Sequence, residues 1–353
     1  MTHLWVRAES RANEDRVGIT PDGVARLLGD GFRVTVEDSA RRIIPIEEYR
    51  KAGAEIAPEG AWPDAPDEAI VFGLKELPED GSPLRHRHIM FGHAFKGQPD
   101  GQILLARFAR GEGQLFDLEY LVDEHGRRLA AFGYWAGYAG AAVSLKCWVA
   151  QQRGGICQAV HAYPDKEGMT TDLRAQLDAS GRPRPRAIVI GAKGRVGSGA
   201  ADLMTEMGVP VTRWDIEETA HGGPFPEILT HDIFINAILA QPGAPVFVPA
   251  DAVAPGRSLT VIGDVACDPT SDFSPIKVYD CSTSWLEPAL RVATQPPLDV
   301  MAIDNLPSML PRESSLDYAA QLLPVLRQLP QIDQGPWARA NAIFEEKVKE
   351  LQT

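Results

Sequence analysis

Residues 187–208 read AIVIGAKGRVGSGAADLMTEMG, and this stretch decides the fold. It begins with the apolar run Ala187–Ile190, which is typical of a buried strand. A glycine-rich turn and a helical pattern follow, and a second strand-like stretch, VPVTRWD, ends at Asp215. The segment therefore predicts a strand, a turn, a helix and a second strand, which is the repeating unit of a parallel α/β sheet.

The turn contains Gly191, Gly194 and Gly197 in the spacing G-x-x-G-x-x-G, with Gly199 close behind. Glycines allow a sharp turn and a close approach of the backbone to a pyrophosphate. The N–H groups at the start of the following helix favour an anion. The turn therefore favours a dinucleotide site, although an ordinary βαβ turn that binds no nucleotide also fits the spacing.

Asp215 strengthens the dinucleotide interpretation because it ends the next strand, roughly 20 residues on, where an acid hydrogen-bonds the adenosine ribose. A carboxylate at this place repels a 2′-phosphate, so the pattern favours NAD over NADP. Arg195 and Arg213 weaken this preference, since either guanidinium could pair with a phosphate.

The flanking sequence predicts the rest of the architecture. LWVRAE, FRVTVEDS, AIVFGLKE and HIMFGHAF have the pattern of strands, and TPDGVARLLGDG and IEEYRKAGAEI that of helices. A long helix is expected from 133 to 152, and two amphipathic helices close the chain. We expect an α/β protein of two Rossmann-like domains with parallel sheets: residues 1–135 with 320–353 for substrate and catalysis, and 136–319 for NAD. The active site is expected in a cleft between them.

Composition excludes several classes of protein. The chain has 353 residues, 44% apolar and 24% charged, as expected for a globular protein of two domains. A net charge of −13 argues against a nucleic-acid partner. The apolar stretch 130–145 is too short and glycine-rich for a membrane span, and no signal peptide is visible, so a cytoplasmic protein is expected. No cysteine pair has metal-site spacing, so no metal and free thiols are predicted at Cys147, Cys157, Cys267 and Cys281.

Charged side chains follow the strands of the first domain, where ligands of α/β sheets gather. They are Lys75, Glu76, His93, Lys96, Asp117, Glu119, Arg127 and Arg128. A lysine with a neighbouring histidine fits a base–acid pair, and a carboxylate beside them can tune both pKa values. Taken singly, Lys75 also fits a solvated charge, His93 a core histidine and Glu119 an ion-pair partner.

Several blocks of sequence carry a resemblance to a known family. They are GLKE (73–76), FGHAFK (91–96), FDLEYL (116–121), GRRLAAFG (126–133), IGAKGRVGSGA (190–200) and IDNLPSMLPRE (303–313). With these blocks the chain resembles, nearly from end to end, the NAD-dependent, L-lysine-forming saccharopine dehydrogenases of fungi. A wider kinship to alanine dehydrogenase and to the NAD-binding part of transhydrogenase is implied.

The resemblance implies roles for individual residues. Lys75 and His93 match the acid–base catalysts, and Glu76 and Glu119 the acids that modulate them. The expected substrate contacts are Arg16, Lys75, Lys96, Gln98, Arg128 and Phe132. The expected cofactor contacts are Gly191, Gly194, Arg195, Gly197, Asp215, Thr219, Val265, Ile303, Asp304, Asn305 and Leu306.

The implied reaction is reversible oxidation of saccharopine by NAD, followed by hydrolysis of the imine to lysine and 2-oxoglutarate. Lys75 is the expected base for the substrate amine, and His93 the group for the water and imine steps. A monomer that acts on small molecules in lysine metabolism is expected. A related dehydrogenase for a different amino acid, and an NAD-binding sensor without catalysis, are the alternatives.

The chain departs from the family pattern at three places. Val196 and Ala237 stand where the fungal enzymes carry a cysteine pair, so redox control through that pair is not expected. Leu239 replaces a tyrosine expected near the adenosine, which could loosen cofactor binding. The C-terminal KELQT lacks the peroxisomal tripeptide of some fungal relatives.

Overall fold

A computed structural model describes residues 1–96, 99–239 and 241–351, which fall into two units. The first unit consists of residues 1–131 and the chain from 311 onward, and the second of residues 132–310. Each unit is built on one six-stranded sheet flanked by helices. The predicted α/β fold with two mostly parallel sheets is therefore confirmed.

The first unit begins with strands that are all parallel. Its elements up to residue 131 are β1 (His3–Val6), α1 (Pro21–Gly29), β2 (Arg33–Glu37), α2 (Ile46–Lys51), β3 (Glu55–Ala57), β4 (Ile70–Phe72), β5 (Arg87–Met90), α3 (Pro99–Gly111) and β6 (Gln114–Asp117). The strand order is β3-β2-β1-β4-β5-β6. The chain direction across the sheet therefore reverses between β1 and β4, and ligands of such sheets bind at this switch point.

The second unit repeats this plan with one antiparallel edge. Its elements are α4 (Gly133–Gln152), α5 (Lys166–Ala179), β7 (Ala187–Ile190), α6 (Arg195–Glu206), β8 (Val211–Trp214), α7 (Ile216–Thr219), α8 (Pro226–Leu229), β9 (Ile233–Asn236), β10 (Val261–Asp264), β11 (Leu290–Thr294) and β12 (Pro297–Met301). The order is β11-β12-β10-β9-β7-β8, and only β11 pairs antiparallel among these strands. The switch point lies between β7 and β9.

The last two helices return to the first unit. They are α9 (Pro311–Leu326) and α10 (Gly335–Glu350). The buried Trp337 of α10 packs edge-on against Phe116 of β6, with ring centroids 5.9 Å apart. Its indole N–H donates to the carbonyl of Val325 at 3.0 Å, so the one side chain joins both helices to the sheet.

Local signals explain most of the element boundaries. Thr20 caps α1 by accepting a hydrogen bond from the N–H of Gly23 at 3.2 Å. The helix predicted from 133 to 152 has those bounds, and its residues 137–145 are buried in the unit. Across the described ranges, no helix combines the length and the apolar character needed to cross a membrane.

One predicted helix differs from the expectation. The predicted helix IEEYRKAGAEI is wrong for its last residues, because Gly53 adopts a positive φ of 97° and ends the helical run. Glu55–Ala57 then form β3, which pairs with β2. The polar segment before β7 forms α5, whose first turn is capped by the Asp165 carboxylate at 2.8 Å from the N–H of Gly168.

His88 is a buried ionisable group in the first sheet. Its ring is 1% exposed and lies edge-on to Trp62 and Phe108, with centroid distances of 5.2 and 5.4 Å. Neither ring nitrogen has a hydrogen-bond partner among the described residues. Burial and, less strongly, the charge of Arg7 hold the pKa of His88 well below its usual value. The imidazole is therefore neutral in the fold.

We expect His88 to make the first unit sensitive to acid. Below about pH 6.5 the unfolded chain takes up a proton that the fold rejects, so stability falls with pH by up to about 1.4 kcal/mol per pH unit. His88→Phe should abolish this part of the slope in urea unfolding between pH 7.5 and 5.5. His125→Gln, at an exposed histidine, is the control, and an equal change of slope in both variants would contradict the assignment.

Candidate active site

Lys75 and Arg16 lie beyond the two strands that flank the first switch point. Lys75 follows β4 and is half-buried, and Arg16 is in the segment after β1. The Arg16 side chain is 3% exposed and forms a two-point ion pair with the fully buried Glu14, at 2.7 Å from Nε and 2.6 Å from Nη2. A substrate carboxylate would therefore meet a guanidinium that Glu14 already binds along one edge.

This environment determines the charge of Lys75. Burial and then the positive charge of Arg16 lower the pKa of the Lys75 amine, and Glu14 partly opposes them. Burial acts to raise the pKa of Glu14, but the bonds and charge of Arg16 outweigh it, so the net shift is downward. Glu14 was not among the predicted site residues, and its signal is its place two residues before Arg16.

The loop after β4 is tied to the loop after β5. The N–H of Phe91 donates to the carbonyl of Leu74 at 3.1 Å, and the N–H of Gly73 donates to the carbonyl of Ile89 at 3.0 Å. Lys75 and His93, which follow these two strands, are thus carried by adjacent, hydrogen-bonded segments.

Glu119 is the centre of a second cluster of charges. Its carboxylate lies 2.6 Å from Arg128 Nη2, 3.1 Å from Lys96 Nζ and 3.7 Å from His93 Nδ1. The His93 imidazole, against the effect of burial and together with Lys96 and Arg128, lowers the pKa of Glu119 to about 2. The carboxylate therefore stays ionised. These contacts fit both interpretations of Glu119, as an ion-pair partner and as an acid that modulates the neighbouring groups.

His93 is not a core histidine, because 52% of its side chain is exposed. Its backbone has a positive φ of 48°, a conformation that is uncommon for residues other than glycine and that is concentrated at functional sites. The exposed imidazole therefore lies beside an ionised carboxylate.

Asp117 holds the two loops of this cluster together. One carboxylate oxygen accepts the N–H of Glu119 at 2.8 Å, and the other accepts the N–H of Gly92 at 3.2 Å. Burial raises the pKa of Asp117 to about 6. The side chain is buried, so it acts on the main chain of the cluster and not on a ligand.

The remaining first-unit candidates are less central. Glu76 is exposed and pairs with Arg11 at 3.2 Å, and its charge is a minor contribution to the environment of Lys75. Arg127 pairs with Asp123 in an exposed turn at 3.0 Å, outside the Glu119 cluster. Gln98 lies outside the described residues. Phe132 precedes α4 and belongs to the second unit.

The glycine turn of the second unit has the geometry of a close-packed loop. Gly191 has a φ of 87°, and its N–H donates to the carbonyl of Trp214 at 2.9 Å. A Cβ on Gly197 would lie 2.1 Å from the carbonyl oxygen of Gly191, so no larger residue fits there. Gly194 precedes the first turn of α6, which Arg195 begins. The turn therefore packs closely against the start of a helix.

Asp215 is fixed at the end of β8. Its carboxylate accepts the N–H of Lys193 at 2.8 Å and that of Ile216 at 2.9 Å, while Glu218 accepts the N–H of Asp215 at 2.7 Å. Thr219 donates its hydroxyl to the carbonyl of Asp215 at 2.9 Å. The edge beyond β8 is therefore acidic and rigid.

Two of the cations near this edge are paired with acids. Lys193 pairs with Glu217 at 3.3 Å. Arg213 lies 4.0 Å from Asp202 of α6. The acids therefore dominate the place where the sequence predicts a ribose.

The other predicted cofactor residues follow β10 and β12, which are neighbours in the sheet. Val265 continues β10 and donates its N–H to the carbonyl of Asn236 at 3.1 Å. A Cβ on Gly140 of α4 would meet Val265 at 2.5 Å and Leu306 at 3.1 Å, so this glycine lets both residues pack on the helix. The residues that follow β12 are Ile303, Asp304, Asn305 and Leu306, and Ile303 and Leu306 are buried.

Comparison with known proteins defines the class of fold. The family described as "Alanine dehydrogenase/PNT, N-terminal domain" matches residues 5–139. An L-alanine dehydrogenase structure has a TM-score of 0.70 at 18% identity, covering 99% of this chain and 100% of that one. A transhydrogenase from Sinorhizobium meliloti has a TM-score of 0.64 at 17% identity, covering 96% and 97%. The chain therefore has the alanine dehydrogenase and transhydrogenase fold.

Closer relatives define the family. A "Saccharopine dehydrogenase [NAD(+), L-lysine-forming]" from Neurospora crassa is 45% identical, covering 99% of this chain and 97% of that protein. A protein of the same name from Schizosaccharomyces pombe is 42% identical, with 99% of each chain covered. The chain belongs to the family of NAD-dependent, L-lysine-forming saccharopine dehydrogenases.

We expect Asp117 to oppose the effect of His88 on stability. Its pKa of about 6 in the fold exceeds the usual value, so its contribution to stability is lost as pH rises from about 4 to 7, by about 3 kcal/mol. Asp117→Asn should remove this dependence in urea unfolding over that range.

The matched control is Asp123→Asn. This exposed carboxylate also accepts two backbone N–H groups, from Arg127 and His125, both at 2.9 Å. The N–H of Arg127 lowers the pKa of Asp123, so its contribution is instead lost as pH falls. For each variant, the difference from wild type in the free energy of unfolding is followed across pH. Differences that change in the same direction for both variants would refute the assignment.

Proposed function

We propose that this protein catalyses the reaction of its family: saccharopine, NAD⁺ and water give L-lysine, 2-oxoglutarate, NADH and a proton, reversibly. The observation that carries the proposal is the pairing of a half-buried lysine, Lys75, with an exposed histidine, His93, on adjacent strand ends. The near full-length similarity to saccharopine dehydrogenases supports the choice of substrate.

The residues of the second unit fit a dinucleotide. Gly197 lets the start of α6 pack directly against the backbone of Gly191, and the start of such a helix suits a pyrophosphate. Asp215 would hold the adenosine ribose, and Val265 with residues 303–306 would line the remainder. NAD, when bound, supplies the acceptor for the hydride that leaves the substrate carbon.

Lys75 is the proposed base. Its lowered pKa makes the neutral amine more accessible near neutral pH than that of an ordinary lysine. The neutral amine accepts the proton of the secondary amine of saccharopine while the substrate is oxidised. Glu14, which is bound to Arg16, limits how far the pKa falls.

His93 is the proposed acid–base group for the hydrolytic half of the reaction. Its exposed ring can take a proton from the attacking water and return one to the departing lysine amine. The ionised Glu119 lies 3.7 Å from Nδ1 and orients the ring.

The three carboxylates of saccharopine require cations. Arg16, Lys96 and Arg128 are proposed to bind them, together with Gln98 and Phe132. Lys96 and Arg128 already share Glu119, so the cluster presents two positive charges for one negative charge. This surplus attracts an acidic substrate to an otherwise acidic protein.

We expect Lys75→Met and His93→Gln each to lower kcat/KM for saccharopine about 10²- to 10⁴-fold, the usual contribution of an acid–base group. NADH absorbance, followed with saccharopine and NAD across pH, measures this. Lys75→Met should also lose one limb of the pH profile. Lys51→Met, at an exposed lysine that ends α2, is the matched control.

The outcomes separate the alternatives. An unchanged pH–rate profile in Lys75→Met would refute its role as base. Turnover of alanine or ornithine, but not of saccharopine, would show that the substrate is a different amino acid. Bound NAD without turnover of any amino acid would favour a sensor.

We expect the wild type to prefer NAD over NADP, and Asp215→Ser to reduce that preference. Loss of a charged hydrogen-bond acceptor for the ribose costs about 1.5–3 kcal/mol, or roughly 10- to 100-fold in the ratio of kcat/KM values. Glu217→Gln, which removes a neighbouring charge, should change the ratio far less. A ratio that is the same in Asp215→Ser and wild type would exclude Asp215 from the ribose site.

A further inference from the structure

The main chain of Lys75 is held on both sides by two charged residues of the segment after β1. Glu9 accepts the N–H of Leu74 at 2.6 Å with one carboxylate oxygen and the N–H of Lys75 at 2.9 Å with the other. Arg7 donates from Nη2 to the carbonyl of Lys75. The Arg7 and Glu9 side chains also pair with each other at 3.4 Å. The peptide groups before and after the Lys75 Cα are therefore both bound.

This arrangement is buried and sterically exclusive. The side chains of Arg7 and Glu9 are 2% and 10% exposed. A Cβ on Gly73 would lie 2.4 Å from Arg7 Nε, so the guanidinium occupies the space that any other residue at position 73 would need. Glycine at position 73 therefore leaves room for the Arg7 side chain against the loop that carries Lys75.

Stability alone does not explain the arrangement. Arg7 Nε is buried and has no hydrogen-bond partner among the described residues. Such a donor costs about 1–3 kcal/mol, and a buried ion pair gains little over an apolar replacement. The contacts made in exchange for this cost are those with the main chain of residues 74 and 75.

We propose that Arg7 and Glu9 are positioning residues that clamp the backbone of Lys75 and so keep its amine in the half-buried place beside Arg16. The inference rests on the proposed role of Lys75 as the base. It concerns residues that touch neither substrate nor cofactor and that act only through Lys75.

The clamp has a measurable consequence. If the loop after β4 relaxes, the Lys75 amine gains water and moves away from Arg16. Since burial and Arg16 are the two main causes of its lowered pKa, that pKa should rise toward the ordinary lysine value of about 10.4.

The test reads the amine directly, without turnover. Trace labelling with acetic anhydride across pH, followed by peptide mass spectrometry, gives the pKa of Lys75, with Lys51 as an internal reference. We expect Glu9→Gln to raise the pKa of Lys75 by roughly one unit, a shift of the size that protein environments impose. Glu9→Asp keeps the charge but is too short to reach both N–H groups, so it should raise the pKa as well.

The control is Asp123→Asn. Asp123 also accepts two backbone N–H groups, from His125 and Arg127, both at 2.9 Å, but it does not bind residues 74 or 75. This variant should leave the Lys75 labelling curve in place. Arg7→Lys, which keeps the charge and loses the two-pronged grip, provides the same reading if the Glu9 variants do not fold.

The results separate this inference from the proposed function. A labelling curve of Lys75 that is unchanged in Glu9→Gln, Glu9→Asp and Arg7→Lys overturns the clamp, whatever the turnover. An equal shift in Asp123→Asn overturns it too. A shift confined to the clamp variants supports it even if saccharopine is not turned over. With turnover, the same limb of the kcat/KM profile should move by the same amount.

Discussion

Carboxylates that accept hydrogen bonds from the main chain at strand ends are the interaction on which the first unit's site depends. Glu9 binds the N–H groups of Leu74 and Lys75, and Asp117 binds those of Gly92 and Glu119. A parallel sheet brings these loops to one edge but does not by itself order them. Buried acids complete that task, because a carboxylate can bind two peptide groups at once and is too costly to leave unbound.

Carboxylates in this unit have different pKa values according to the cations around them. Glu119 has His93, Lys96 and Arg128 as neighbours and a pKa of about 2, whereas Asp117, which bonds mainly to peptide groups, has a pKa of about 6. Hydrogen bonds from neutral peptides do not offset burial as charged neighbours do. The acid beside His93 is therefore permanently ionised, while the acid beneath it titrates near neutrality.

Local signals in the sequence were sufficient for the elements but not for their partners. The turn between β7 and α6 and the bounds of α4 rest on neighbours within a few residues, and these predictions were confirmed. The three-residue strand β3 depends on pairing with β2, a separate segment of the chain, and no local period reports that pairing. Glu14 was not predicted as a site residue because its contact with Arg16 matters only through burial, which the folded sheet imposes.

The two sheets use one topology for opposite purposes. At the switch point of the second sheet, Gly191 and Gly197 allow the turn and the start of α6 to pack closely. At the switch point of the first sheet, Arg16 and Lys75 bring two positive charges together, and buried acids hold them in place. An anion-binding backbone needs only glycine and a helix start, whereas proton transfer needs side chains with displaced pKa values. A glycine turn can therefore be recognised in the sequence as a motif, whereas the candidate acid–base residues of the first unit are distinguished only by the contacts that surround them.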